Sequence, residues 1–174
     1  MTELTRCIGL AAQVAPDCRV LVLGSMPGVA SLQAAQYYAH PRNRFWPLMG
    51  ALTGIDATLP YAARLHAVQA AGVGLWDVIG ACERRGSLDA AIVRGSEVAN
   101  AVPALIERLP SVRAVACNGG TAHRAFLRWV QPALGARGLS LPVWSLPSTS
   151  PANAAWPLPR LQAAWQPLAD VLGG

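Results

Sequence analysis

Four short apolar or β-branched runs punctuate the chain, at 19–23, 73–78, 112–117 and 141–146. Each has the length and composition of a strand. Helical patterns fill the gaps. The first, 60–71, opens on Pro60, a residue suited to a first turn, and stops at Gly72. The second, 100–109, puts Val102, Leu105, Ile106 and Leu109 on one face and ends at Pro110. The third, 121–130, follows Asn118-Gly119-Gly120. The last, 158–172, is bracketed by Pro157 and Pro159 and strained by Pro167. Strands alternating with helices predict a parallel sheet covered on both faces. The expected fold is therefore a three-layer α/β/α sandwich around a four-stranded parallel sheet. No internal repeat, low-complexity tract or long linker divides the chain, so 1–174 reads as one domain.

Each strand runs into turn or polar chemistry. The first ends at Gly24-Ser25-Met26-Pro27-Gly28 and the second leads to Asp77. The third ends at Asn118-Gly119-Gly120, and the fourth at Pro147-Ser148-Thr149-Ser150-Pro151. In a parallel sheet these four ends share one edge, where α/β proteins build their sites.

Composition narrows what such a site can do. The net charge is +5, and all 14 basic side chains are arginines, because the chain has no lysine. A lysine-dependent phosphate loop and a lysine Schiff base are therefore excluded. A modest basic excess suits a polyanionic partner. Cys7, Cys18, Cys82 and Cys117 form no C-x-x-C pair, and none of the three histidines lies beside them. No metal site is expected; free, buried thiols in a reducing cytoplasm are. The first eighteen residues lack a signal-peptide layout, and no apolar stretch reaches the ~18 residues of a membrane span.

The densest chemistry lies between Gly24 and Trp46. It opens on Gly24-Ser25-Met26-Pro27-Gly28 and closes on Tyr37-Tyr38-Ala39-His40-Pro41-Arg42-Asn43-Arg44-Phe45-Trp46. With the late Pro147-Ser148-Thr149-Ser150-Pro151-Ala152-Asn153, this pairing resembles the uracil-DNA glycosylase superfamily. It is most similar to the hypoxanthine-DNA (deoxyinosine) glycosylase branch. That resemblance implies a base flipped out of duplex DNA into the crevice, with hydrolysis of its glycosidic bond and no cofactor. It implies a monomer acting on double-stranded DNA that carries a damaged base.

The resemblance also implies roles for individual residues. Met26 stands where mismatch-specific uracil glycosylases carry a catalytic Asn and uracil-specific enzymes an Asp, and a thioether cannot polarise water. The catalytic group then falls to Asn43, with a cap for the helix beginning near Phe45 as the alternative reading of the same residue. Tyr38 takes the place of the aromatic that stacks on the flipped base, unless it is simply core. Gly24, Ser25 and Met26 would line the base edge. His40 would fix the loop or touch a phosphate. Asp77 would read the base edge as an acceptor, or cap a turn at the surface. Gly28, Asn118, Ser148, Thr149 and Ser150 would meet phosphates and the gap left by the base, although Asn118-Gly119-Gly120 could be a plain tight turn. Two other readings remain in view: a mismatch-specific uracil glycosylase, which Met26 disfavours, and a nucleic-acid-binding module without catalysis. A serine hydrolase is not supported, since no G-x-S-x-G elbow occurs.

Overall fold

The computed structural model describes residues 3–173. Its strands are β1 (Thr5–Ile8), β2 (Val20–Gly24), β3 (Val73–Asp77), β4 (Ile79–Arg84), β5 (Val98–Ala99), β6 (Ala114–Asn118) and β7 (Val143–Leu146). The helices are α1 (Val29–Ala34), α2 (Phe45–Thr53), α3 (Tyr61–Ala70), α4 (Val102–Glu107), α5 (Gly120–Ala125), α6 (Gln131–Ala136), α7 (Leu158–Ala164) and α8 (Gln166–Gly173).

The four predicted strands are β2, β3, β6 and β7. They pair in parallel in the order β3-β2-β6-β7. Residues alternate across a strand, so β2 serves two cores at once. Val20 and Val22 pack with Phe45, Leu48 and Met49 of α2 and with Leu161 and Leu168 of the C-terminal helices. Leu21 and Leu23 face the other way, onto Leu105 and Ile106 of α4 and onto Phe126. This two-sided burial makes the expected three layers.

Three local expectations need correction. The chain does not pass straight from β3 into the helix predicted over 100–109, which forms as α4 only after a further excursion. Only Val78 separates β3 from β4, and β4 joins β1 and β5 in a second, antiparallel sheet that the sequence reading missed. The predicted last helix is two helices, α7 and α8, broken at Trp165 (φ −90°, ψ 3°). Pro167 then falls in the first turn of α8, where its missing N–H costs nothing. The helix predicted over 121–130 continues to Ala136 through a π-helical turn, Phe126–Val130. That turn precedes Pro132, which has no N–H to bond back to the previous turn.

Cys7, Cys18, Cys82 and Cys117 are free and buried, as expected. Burial pushes the Cys18 thiol up to about 11 and that of Cys117 up to about 12, so neither is a ready thiolate. No helix among the described residues is long and apolar enough to cross a membrane, and those residues contain no metal-binding cluster.

Candidate active site

The parallel register aligns the strand ends. Gly24 sits opposite Asp77, and Asn118 opposite Leu146. Above them opens a cleft of about 850 Å³. Every residue singled out in the sequence for a site role lines it: Gly24, Ser25, Met26, Gly28, Tyr38, His40, Asn43, Asp77, Asn118, Ser148, Thr149 and Ser150. The structure therefore brings together segments more than a hundred residues apart.

The floor is acidic and buried. Asp77 is 4% exposed, and its Oδ2 has no hydrogen-bond partner. A surface capping role is thereby excluded. Its backbone is fixed by Asn100, whose Nδ2 donates to the Asp77 carbonyl at 2.8 Å. Position 24 must be glycine, since a Cβ there would lie 2.3 Å from Asp77 Oδ1. Burial, reinforced by the Asp89 carboxylate and opposed by Arg84, pushes the Asp77 carboxyl up to about 7. Asp89 accepts a hydrogen bond from Ser25 Oγ at 2.8 Å and is itself shifted upward, chiefly by burial. Arg84, 1% exposed, donates to the Pro27 carbonyl at 2.6 Å, which ties β4 beneath the Gly24–Gly28 turn.

One wall carries the aromatic. Tyr38 has φ +56°, a left-handed conformation unusual for a bulky residue. This turn sends neighbouring rings apart. Tyr37 is buried and donates to the Ala11 carbonyl at 2.9 Å. Tyr38 lines the cleft, with its ring stacked on Phe45 at 4.0 Å between centroids. Its hydroxyl is buried without a partner, and burial followed by the Asp77 charge raises its pKa. Tyr38 is thus neither a plain core residue nor a free surface ring: Phe45 braces it beside the cleft.

Asn43 fulfils the capping alternative in part. Its Oδ1 accepts from the Phe45 N–H at 2.9 Å at the entry to α2. That contact uses one lone pair and leaves the other lone pair and the Nδ2 donors to the cleft that Asn43 lines. His40 Nδ1 accepts from the Arg42 N–H at 3.1 Å, which fixes the loop and, in the neutral ring, puts the proton on Nε2.

The opposite wall is the 147–156 loop. Asn118 and Thr149 are mutually bonded: Nδ2 donates to Thr149 Oγ1, and Oδ1 accepts from the Thr149 N–H, both at 3.0 Å. Thr149 is 1% exposed, so its side chain has no surface to offer a phosphate, contrary to expectation. The Asn118 amide likewise holds the loop rather than presenting itself to DNA. Gly119, at φ +101°, lets the chain turn under Ser148. Ser148 and Ser150 stay half-exposed. Met26 lines the cleft as expected, and its side chain, 7% exposed, packs with Cys7, Ile79 and Cys82.

The sequence reading missed Arg44. Its guanidinium donates to the carbonyls of Ser150 (2.5 Å), Asn153 (3.0 Å) and Trp156, and its backbone N–H donates to the Thr149 carbonyl at 3.0 Å. It therefore clamps the two walls together. Arg84 and Asp89 were missed as well, because they lie in the unpredicted second sheet and the loop that follows it. Replacing Arg44 with methionine should cost about 2–4 kcal/mol of stability, because it strands several carbonyls. Urea unfolding measures this. An unchanged midpoint would mean that the loop holds without the clamp.

Comparison with known proteins agrees with this geometry. The uracil DNA glycosylase superfamily model matches residues 11–171. A Methanosarcina acetivorans protein named hypoxanthine DNA glycosylase is 33% identical over 159 residues, which is 91% of this chain and 94% of that one. A protein of the same name from Methanosarcina barkeri is 37% identical over 112 residues, 64% of this chain and 70% of its own. The solution NMR structure of a candidate uracil DNA glycosylase from Methanosarcina acetivorans superposes with a TM-score of 0.81 at 30% identity, over 98% of this chain and 100% of that one. With the shared strand edge, the cleft and this span of similarity together, the chain belongs to the uracil DNA glycosylase superfamily.

Proposed function

We propose that the protein is a single-domain, monofunctional DNA glycosylase, acting as a monomer in the cytoplasm, that removes hypoxanthine from deoxyinosine in duplex DNA. The observation that carries this reading is the floor of the cleft. An aromatic ring and a buried carboxyl with a partnerless oxygen stand side by side, next to an amide side chain. Flipping the base out costs a few kcal/mol, and stacking on Tyr38 returns about 1–3 kcal/mol. Held near neutral, the Asp77 carboxyl can both donate and accept. That matches a deaminated purine, whose edge sets a ring N–H beside a carbonyl.

The C1′–N9 bond breaks, its electron pair leaves with the purine, and water adds at C1′. Free base and an abasic site result. Asn43 orients the water and favours the developing sugar cation through its amide dipole. It is not a base, so rate comes from positioning and from charge stabilisation. A mismatch uracil glycosylase remains disfavoured, because position 26 carries a packed methionine. The test is a set of matched duplexes carrying inosine, uracil or xanthine, with released base separated by chromatography. Fastest release from inosine supports the reading; release from uracil alone replaces it.

A further inference from the structure

We propose that Asp89 is a positioning residue: its carboxylate, set beside Asp77, makes the floor of the cleft hold its proton and so meet the base as a hydrogen-bond donor. The proposal rests on the glycosylase reading, in which Asp77 faces the edge of the flipped base. Asp89 opens a short 3₁₀ turn, 89–91, in the loop that leaves β4. Both acids line the cleft, and both abut the turn at Gly24 and Ser25. A Cβ at Gly24 would stand 2.3 Å from Asp77 Oδ1. At the next residue, Ser25 Oγ donates to Asp89 Oδ1 at 2.8 Å.

Two carboxyls in one poorly solvated site do not both ionise cheaply, and their surroundings decide which keeps the charge. Among the described residues neither acid forms an ion pair. Arg84 faces both, but its Nη groups are spent on the carbonyls of Pro27 at 2.6 Å and Ser87 at 3.4 Å. The remaining surroundings differ. Asp89 is half-buried, accepts from Ser25 and has the exposed Arg124 of α5 as a second cation, and all of this favours its carboxylate. Asp77 is 4% exposed with a partnerless Oδ2, and the neighbours Tyr37 and Tyr38 bring it no positive charge. The proton therefore stays on Asp77. Burial is the larger cause that pushes this carboxyl up to about 7, and the Asp89 charge is the next, the one a single substitution removes. A protonated carboxyl donates to the carbonyl of a deaminated purine, whereas adenine offers an amino group at the same place.

The test is the pH dependence of kcat/KM for base release from an inosine duplex, from about pH 5 to about pH 9, which reports groups of the unliganded protein. The wild type should fall off on the alkaline side as Asp77 ionises. Asp89→Asn keeps the shape and an acceptor for Ser25 but removes the charge, and should move that limb about one pH unit lower. Asp89→Glu, which keeps the charge, should restore it. Asp77→Asn should show no such limb, with or without Asp89→Asn, which separates the effect from titration of His40 in the same cleft. A second readout needs no DNA: the Asp77 carboxyl carbon, followed by NMR and assigned with Asp77→Asn, should titrate about one pH unit lower in Asp89→Asn. An unchanged limb with an unchanged NMR midpoint would overturn the proposal, as would an equal loss of rate at every pH with no shift. If the midpoint moves but neither the wild type nor any variant releases base, the role of Asp89 stands and the glycosylase reading falls.

Discussion

Asn43→Ala is expected to slow base release by about 10²–10³-fold in single turnover, the usual effect of removing a group aimed at developing charge. The structure adds a complication that sequence could not supply. Asn43 Oδ1 accepts from the Phe45 N–H, so the alanine variant also loses about 1 kcal/mol of helix-entry stability. Asn43→Asp keeps that acceptor and should unfold at the wild-type denaturant concentration. Measuring the alanine variant well below its unfolding midpoint therefore isolates the catalytic loss. An alanine variant within about threefold of the wild-type rate would remove Asn43 from the reaction.

The second large effect concerns stability and pH. Asp77 is buried with one partnerless oxygen, and its pKa is raised from 3.8 to about 7. Between those values the unfolded chain ionises this carboxyl while the folded chain keeps the proton. Stability therefore falls as pH rises from about 4 to about 7 and then levels off. The full penalty is roughly 4 kcal/mol. The groups that set it are Asp89, which raises the shift, and Arg84, which opposes it; Tyr37 and Tyr38 lie against the same acid. Asp77→Asn copies the protonated shape at every pH. Near pH 8 it should be more stable than the wild type by about 4 kcal/mol, and near pH 4 it should match it. It should also keep releasing hypoxanthine above neutrality, where ionisation of Asp77 slows the wild type. Chemical unfolding and base release across that pH range measure both. A variant less stable than the wild type near pH 8 would show that the carboxyl is not forced to hold its proton.

Much of the site was legible because its parts sit at strand ends. The stretches 20–23 and 73–76 are apolar throughout, and only a two-sided sheet buries such runs. The placing of Gly24 beside Asp77 follows from that sheet. The second sheet was not legible. β1 has a burial pattern with a single buried residue, Cys7, and β5 is two residues long, so neither leaves a periodic signal. Roles that depend on partners distant in sequence were equally hidden. Arg44 reads as one more cation in a basic segment until Ser150, Asn153 and Trp156 are seen around it. Asn118 reads as a phosphate ligand until Thr149 occupies both ends of its amide. The packing of Met26 against Cys7 and Cys82 likewise depends on the second sheet.

The central claim is hydrolysis of a glycosidic bond without strand scission. The chain has no lysine. No side-chain amine is therefore at hand to form an imine with the sugar. The direct measurement incubates the protein with an end-labelled duplex carrying one inosine and resolves the strands on a denaturing gel, with and without alkali, after parallel borohydride treatment. The expected result is a full-length strand that breaks at the inosine only after alkali, free hypoxanthine in solution and no trapped adduct. Strand breakage without alkali together with a borohydride-trapped protein–DNA adduct, or an alkali-resistant strand with no free base, would contradict it.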